Sequence, residues 1–180
     1  MRRLSLSLML VALLLCWFEP ANAQSESEFV IGSMEQSLKD KKFSCKREFV
    51  DQGEPSPDSP RGMKYGFKCR QDSLNIVIFI LYGDSQQDAV KTLDLSQKFL
   101  SINISKPLEG YGEQAYELGR DHSAWITFRK GRVYAHITVG VPRPEKTDVP
   151  PDPNPVQRHA LLDLARALAI ALLEPIPAAP

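Results

Sequence analysis

The segment 123–141 constrains the fold more than any other part of the chain, because apolar and polar residues alternate along it. Neighbouring side chains of a β-strand point to opposite faces, so this alternation is typical of a half-buried strand. A two-residue loop at Lys130 and Gly131 would pair apolar residues across a hairpin, with Phe128 opposite Val133. The apolar face predicted in this way carries Ala124, Ile126, Phe128, Val133, Ala135, Ile137, Val139 and Val141.

The other face of the predicted hairpin is the best candidate binding surface in the chain. It combines aromatic and basic side chains, namely Trp125, Arg129, Arg132, Tyr134 and His136. The same loop places Trp125 across from His136. In one interpretation a helix or loop covers Trp125 and Tyr134 while their polar atoms reach water. In the other, this face docks a protein partner or an anionic ligand.

The first 23 residues are typical of a secretory signal peptide. Arg2 and Arg3 supply a positive n-region, the apolar run 4–18 follows, and an Ala-Asn-Ala sequence provides a cleavage site. The apolar run is too short to span a bilayer comfortably. We predict cleavage after Ala23, a single domain at 24–180, and a periplasmic or secreted location.

The cysteine count supports export. Cleavage would leave two cysteines, Cys45 and Cys69, in an oxidising compartment, where one disulfide is the expected outcome. Both cysteines lie in segments that predict strands, 43–50 and 63–70, separated by a proline-rich loop. Pairing these strands with Cys45 opposite Cys69 gathers most of their apolar residues on the disulfide face. The strand register and the disulfide therefore support each other.

Charge is balanced over the whole chain but not on every strand face. The predicted register places Phe49 opposite Tyr65 and leaves a charged far face. That far face carries Lys46, Glu48, Lys64, Lys68 and Arg70. Such a face is usually solvated, and anion binding is the alternative. The mature chain has 20 basic and 21 acidic residues, so its net charge gives no reason to expect nucleic-acid or membrane binding.

The run LNIVIFILY at 74–82 is apolar on both sides, which is typical of a strand buried on both faces in the middle of a sheet. The predicted order is helix, three strands, helix, three strands, helix. We predict an α+β fold, a mostly antiparallel sheet of about six strands with helices packed on it, similar to an α/β/α sandwich. The proline-rich segment 142–155 is predicted to be a loop, and 175–180 a flexible tail.

The predicted helices each have a start signal. The first, 33–41, is predicted to begin with a capping box at Ser33. Asp84 and Gln87 are predicted to cap the second helix. The third is predicted to begin with Pro155, because proline is favoured at the first helical position.

Three short motifs resemble a known group of proteins. They are an Ala115-Tyr116 pair, the FRKG-containing segment 126–133 and the LARAL sequence at 164–168. With the element order, they resemble uncharacterised secreted bacterial domains and the PsbP-like architecture. The resemblance covers most of the mature chain. It implies a noncatalytic accessory protein and no catalytic residue.

The sequence contains no recognisable catalytic or phosphate-binding motif. Its three histidines, His122, His136 and His159, lie in different predicted elements without ligand spacing, so no metal or cofactor is expected. Asn103 begins a glycosylation sequon, which matters only in a eukaryotic secretory pathway. We expect an exported, noncatalytic binding or accessory domain that meets a protein partner on the aromatic and basic face. The alternative is a small ligand-carrying or hydrolase-like domain with a pocket between sheet and helix.

Overall fold

Three helices and seven strands are formed by the described residues of this computed structural model, which are 19–52, 59–71, 73–99, 105–120, 122–142 and 155–177. The helices are α1 (Glu19–Asp40), α2 (Gln86–Phe99) and α3 (Pro155–Leu173). The strands are β1 (Ser44–Asp51), β2 (Gly62–Gln71), β3 (Leu74–Gly83), β4 (Lys106–Pro107), β5 (Gln114–Arg120), β6 (Ser123–Lys130) and β7 (Val133–Gly140). The predicted α+β class and element order are confirmed, and the two-residue β4 adds a short strand.

Several sequence predictions fall outside the described residues. They are most of the predicted signal peptide, the sequon at Asn103 and most of the proline-rich segment 142–155. Within the residues that the structure describes, no helix has the length and apolar character needed to cross a membrane.

The sheet is antiparallel throughout and has the strand order β1-β2-β3-β7-β6-β5-β4. Two sets of sequential strands, β1 to β3 and β4 to β7, meet where β3 pairs with β7. The apolar strand β3 therefore has a neighbour on each side, as expected for a strand inside a sheet.

One face of the sheet forms the main hydrophobic core with α1 and α3. Ile126 and Ile137 lie directly opposite each other on this face, and neither has exposed surface. Ile78 continues the same row on β3. The two helices contribute apolar stripes at helical spacing, Val30, Ile31, Met34 and Leu38 from α1 and Leu161, Ala165, Leu168 and Leu172 from α3. The predicted apolar face of the hairpin is therefore confirmed.

The predicted pairing within the central hairpin is wrong by two residues. Lys130 pairs with Val133, so the loop consists of Gly131 and Arg132. Gly131 has a φ of 57°, and glycine at the first loop position is what a type II′ turn requires. A shift of two residues keeps every strand side chain on its face. For this reason the apolar face was predicted correctly although the pairing was not.

The Cys45–Cys69 disulfide is present as predicted, between residues that face each other on β1 and β2. Further along β1 the predicted register is wrong, because a β-bulge shifts the strand by one residue. Phe49 therefore lies opposite Gly66 rather than Tyr65. Its ring fills the space beside the glycine, since a Cβ on Gly66 would come within 2.0 Å of the ring. Phe49 remains half exposed there.

Helix α1 extends further toward the N-terminus than predicted, so the capping box at Ser33 is wrong. The Ser33 hydroxyl lies inside the helix and donates a hydrogen bond to the Phe29 carbonyl at 2.9 Å, which is common for serine in a helix interior. Ion pairs hold this helix against the sheet. Arg47 of β1 binds Glu28 at 2.9 Å and Glu35 at 2.8 Å.

Helix α2 is capped by Ser85 rather than by Asp84. The Ser85 amide donates to Asp88 Oδ2 at 3.0 Å, and the Asp88 amide donates to Ser85 Oγ at 3.3 Å. These reciprocal bonds define a capping box. The Arg61 amide also donates to Asp88. Burial favours the neutral acid, but the hydrogen bonds outweigh it and lower the pKa of Asp88.

Replacing Ser85 with alanine should destabilise α2, because the Asp88 amide in its first turn loses the Ser85 Oγ acceptor. We expect the free energy of unfolding to fall by about 1 kcal/mol, measured by urea denaturation. Gln87→Ala changes an exposed neighbour and is the matched control, with an expected change of less than about 0.5 kcal/mol. Equal losses in the two variants would contradict the assignment of Ser85 as the cap.

Candidate functional site

Helix α2 covers only one end of the second face of the sheet. It packs on β3, β7 and β6, where Leu81 and Tyr134 are buried together with Ala89 and Leu93 of the helix. Toward the other end of β3, Val77 is 50% exposed on the same face. The prediction that β3 is buried on both faces is therefore confirmed at Leu81 and wrong at Val77.

We call the exposed part of this face the open face. It is defined by Lys46, Lys68, Arg70, Asn75, Val77, Arg120, Trp125 and Thr138. In its central row Lys68 lies opposite Val77, which in turn lies opposite Thr138. Trp125 follows Thr138 on the next strand. Because residues opposite each other in antiparallel strands share a face, these side chains form one surface.

Trp125 and His136 both lie at the open face, but they do not form the predicted cross-strand pair. Trp125 pairs with Thr138, and its ring centroid lies 6.5 Å from that of His136, at a diagonal position. The Arg120 guanidinium lies over the Trp125 ring at 5.0 Å from its centroid. Trp125 is partly exposed, so it contributes an aromatic border to the open face.

His136 is a neutral neighbour of the open face. Its Nε2 atom lies 3.0 Å from Thr138 Oγ1. Its Nδ1 atom is buried and has no hydrogen-bond partner among the described residues. Burial lowers the pKa of His136 to about 4, because a buried imidazolium loses its hydration. At neutral pH the ring therefore adds no charge to the open face.

Tyr134 and Arg129, also predicted for the binding face, lie at its covered end. Tyr134 packs edge-on against Phe79, with ring centroids 6.3 Å apart, and burial raises the pKa of Tyr134 to about 12. Arg129 lies opposite Tyr134 and forms an ion pair with Glu113. The interpretation in which a helix covers the aromatic residues therefore holds for Tyr134.

Arg132 does not share a face with Trp125, contrary to the predicted alternation. Its guanidinium lies over the Tyr82 ring, 4.7 Å from the centroid, and forms an ion pair with Glu26 at 3.0 Å. Its Nε donates to the Gly83 carbonyl at 2.8 Å. Arg132 belongs to the turn, where strand alternation does not fix the direction of a side chain. It connects the hairpin turn to α1.

Over the described stretches of the chain, the basic residues of the open face lack the ion pairs that arginines form on other surfaces of the protein. Four arginines on other surfaces form ion pairs with glutamates: Arg47, Arg129, Arg132 and Arg166. The basic residues of the open face are exposed and have no ion pair with any described residue: Lys46, Lys68, Arg70 and Arg120. Their positive charge is therefore available to a partner.

The described residues also form pockets away from the open face. A groove of about 380 Å³ lies between α2 and strands β4 and β5, lined by Asp94, Gln97, Lys98, Ser105, Pro107 and Tyr116. A smaller pocket of about 120 Å³ lies at the β6–β7 turn and is lined in part by Glu26, Tyr82, Lys130 and Arg132. No group of three His, Cys, Asp or Glu residues within the described ranges could hold a metal ion.

Sequence reasoning missed the centre and one side of the open face. Val77 lies in a run that is apolar on both sides, and nothing in that run shows where a covering helix ends. Arg120 is the last residue of β5, and the alternation in segment 123–141 does not extend to it. Pairing the predicted strands β2 and β3 would have indicated this face, because it places the charged Lys68 opposite Val77 and so predicts that Val77 borders a solvated surface.

In comparisons with known proteins, no family model matches the chain, and no curated protein or solved structure shows significant similarity to it. Function is therefore inferred from this chain's own residues. The open face is the candidate binding surface, because it combines exposed apolar and aromatic side chains with basic side chains that lack an ion pair to any part of the described chain.

Proposed function

We propose that this chain is an exported, noncatalytic binding or accessory domain that docks a protein partner on its open face, beside Trp125 and His136. The observation that carries the proposal is Val77, an aliphatic residue left 50% exposed inside the sheet. A partly exposed tryptophan lies two strands away in the same row. An apolar centre bordered by aromatic and basic side chains has the composition of an interface.

Export to the periplasm or the exterior is part of this proposal. It is supported by the signal-peptide features of the N-terminus and the expected cleavage after Ala23. The Cys45–Cys69 disulfide is a second support, because disulfides persist in oxidising compartments. The resemblance to PsbP-like accessory domains agrees with a noncatalytic role and forms part of the same proposal.

A second candidate function is a small ligand-carrying or hydrolase-like domain. It is favoured by the groove of about 380 Å³ between α2 and the sheet. However, Asp94, Lys98 and Pro107 on its walls are exposed, whereas ligand sites usually enclose most of their ligand. A small molecule that raises the melting temperature, with an effect lost in Tyr116→Ala, would favour this alternative.

A photo-crosslinking residue at position 77 tests the docking proposal. Val77→p-benzoylphenylalanine is expected to give a discrete adduct when the full chain is irradiated in cells of its source organism. Ile170→p-benzoylphenylalanine is the matched control, because Ile170 is 43% exposed on the outside of α3. We expect no discrete adduct there, and we expect excess unmodified protein to compete with the adduct at position 77. Equal labelling at the two positions, or none at position 77, would exclude docking on the open face.

A further inference from the structure

We propose that the open face recognises a polypeptide that presents carboxylates on both sides of an apolar side chain. This inference rests on the proposed docking function and adds the chemistry of the partner. Its first support is charge, because the open face as defined contains four basic residues, whereas the acidic Asp51 on the same side of the sheet lies opposite Lys64, toward the end that α2 covers. None of the four cations has a carboxylate partner within the described part of the chain.

The placement of two lysines strengthens the argument for an anionic partner. Lys46 and Lys68 lie directly opposite each other on β1 and β2. Like charges in facing positions of a sheet repel each other and destabilise the pairing. Arg70 lies two residues further along β2 and on the same face. A carboxylate bound between these side chains would replace the repulsion with attraction.

The middle of the open face favours a polypeptide over a sugar or a nucleobase. The Arg120 guanidinium already lies over the Trp125 ring, so this ring is not a free platform for stacking of the kind that binds bases. Val77 offers an aliphatic contact instead. The whole chain has 22 basic and 22 acidic residues, whereas nucleic-acid-binding domains are usually basic overall.

The spacing of the cations defines the partner further. Lys68 on β2 and Arg120 on β5 are separated by four strand intervals, or about 19 Å at the usual spacing of about 4.8 Å between strands. Val77 lies between them on β3. An extended polypeptide covers about 19 Å with roughly six residues. The expected partner segment therefore has acidic residues about six positions apart, with an apolar residue between them.

Charge reversal beside the crosslinker tests this chemistry. In the Val77→p-benzoylphenylalanine protein, Lys68→Glu with Arg70→Glu should reduce the adduct about tenfold, which corresponds to about 1.4 kcal/mol. Lys39→Glu with Lys91→Glu makes the same change in net charge at exposed helix positions and should leave the adduct unchanged. The neutral pair Lys68→Gln with Arg70→Gln should give an intermediate loss and serves as the test if the reversal variant does not fold. Mass spectrometry of the adduct should identify an acidic peptide.

The outcomes separate this inference from the docking proposal. If position 77 gives no adduct, docking on the open face is excluded, and the inference with it. If an adduct forms but is insensitive to both substitution pairs, docking stands and the acidic partner is excluded. An adduct to a neutral or basic peptide, to a lipid, to nucleic acid or to a second copy of this chain also excludes the acidic partner. An acidic peptide whose capture follows the charge of Lys68 and Arg70 supports it.

Discussion

Replacing Cys45 and Cys69 together with alanine is expected to lower the free energy of unfolding by about 3 kcal/mol. The two cysteines are separated by 24 positions in sequence, and their bond restricts that loop in the unfolded chain. Removing the bond therefore gives entropy back to the unfolded state. Urea denaturation of the oxidised wild type and the double variant measures the difference.

The disulfide should matter for β1 more than for any other strand. β1 lies at the edge of the sheet, pairs only with β2 and is largely exposed. Next to Cys45 it carries Lys46, which faces Lys68, so the covalent bond holds together strands that carry facing like charges. Reduction of the wild type should produce the same loss as the double variant. A loss below about 1 kcal/mol in both would contradict this account.

The fold was largely predictable because hydrophobic alternation determines which side of a strand faces the core. That pattern assigned Ile126 and Ile137 to one face, where they are fully buried. It could not determine which residues pair, because a shift of two positions keeps the faces unchanged. The pairing was decided by Gly131, whose positive φ suits the first position of a type II′ turn.

The candidate site was less predictable than the fold, because it depends on what covers the sheet. Trp125 and His136 were identified from the strand pattern alone. The burial of Tyr134 and the exposure of Val77 depend on where α2 lies across β3, β7 and β6. Sequence periodicity indicates that a helix has an apolar side, but it does not indicate which end of a strand that helix will cover.

The open face combines contributions from both halves of the chain. β1, β2 and β3 supply the lysines and Val77, whereas β5 and β6 supply Arg120 and Trp125. Within the sheet, the two halves join through the pairing of β3 with β7. A partner that bound across this seam would contact both halves at once. Binding should therefore stabilise the folded state, since a ligand of the native form shifts the unfolding equilibrium.

Acid is expected to destabilise the wild type through His136. Burial holds the pKa of His136 at about 4 in the folded state, below the ordinary value of about 6.5 that applies in the unfolded chain. Between these values the unfolded chain binds a proton that the folded protein does not. The stability contributed by the neutral ring is complete above about pH 6.5 and is lost as the pH falls toward 4. Protonation of His136 should therefore lower the free energy of unfolding by about 2 to 3 kcal/mol, a figure that allows for partial access of water to the ring.

His136→Gln removes this proton uptake and retains a neutral polar side chain next to Thr138. Between pH 7 and pH 4, urea denaturation should show a loss of stability about 2 to 3 kcal/mol smaller in His136→Gln than in the wild type. Gln87→Ala, which changes an exposed side chain without a titratable group, is the control, and it should follow the wild-type dependence on pH. Other groups also titrate in this range. The quantity to compare is therefore the difference between the wild type and His136→Gln in the stability lost from pH 7 to pH 4. If the free energy of unfolding of His136→Gln fell with pH as steeply as that of the wild type, the prediction would be wrong. The His136 ring of the wild type would then be protonated as readily in the folded protein as in the unfolded chain.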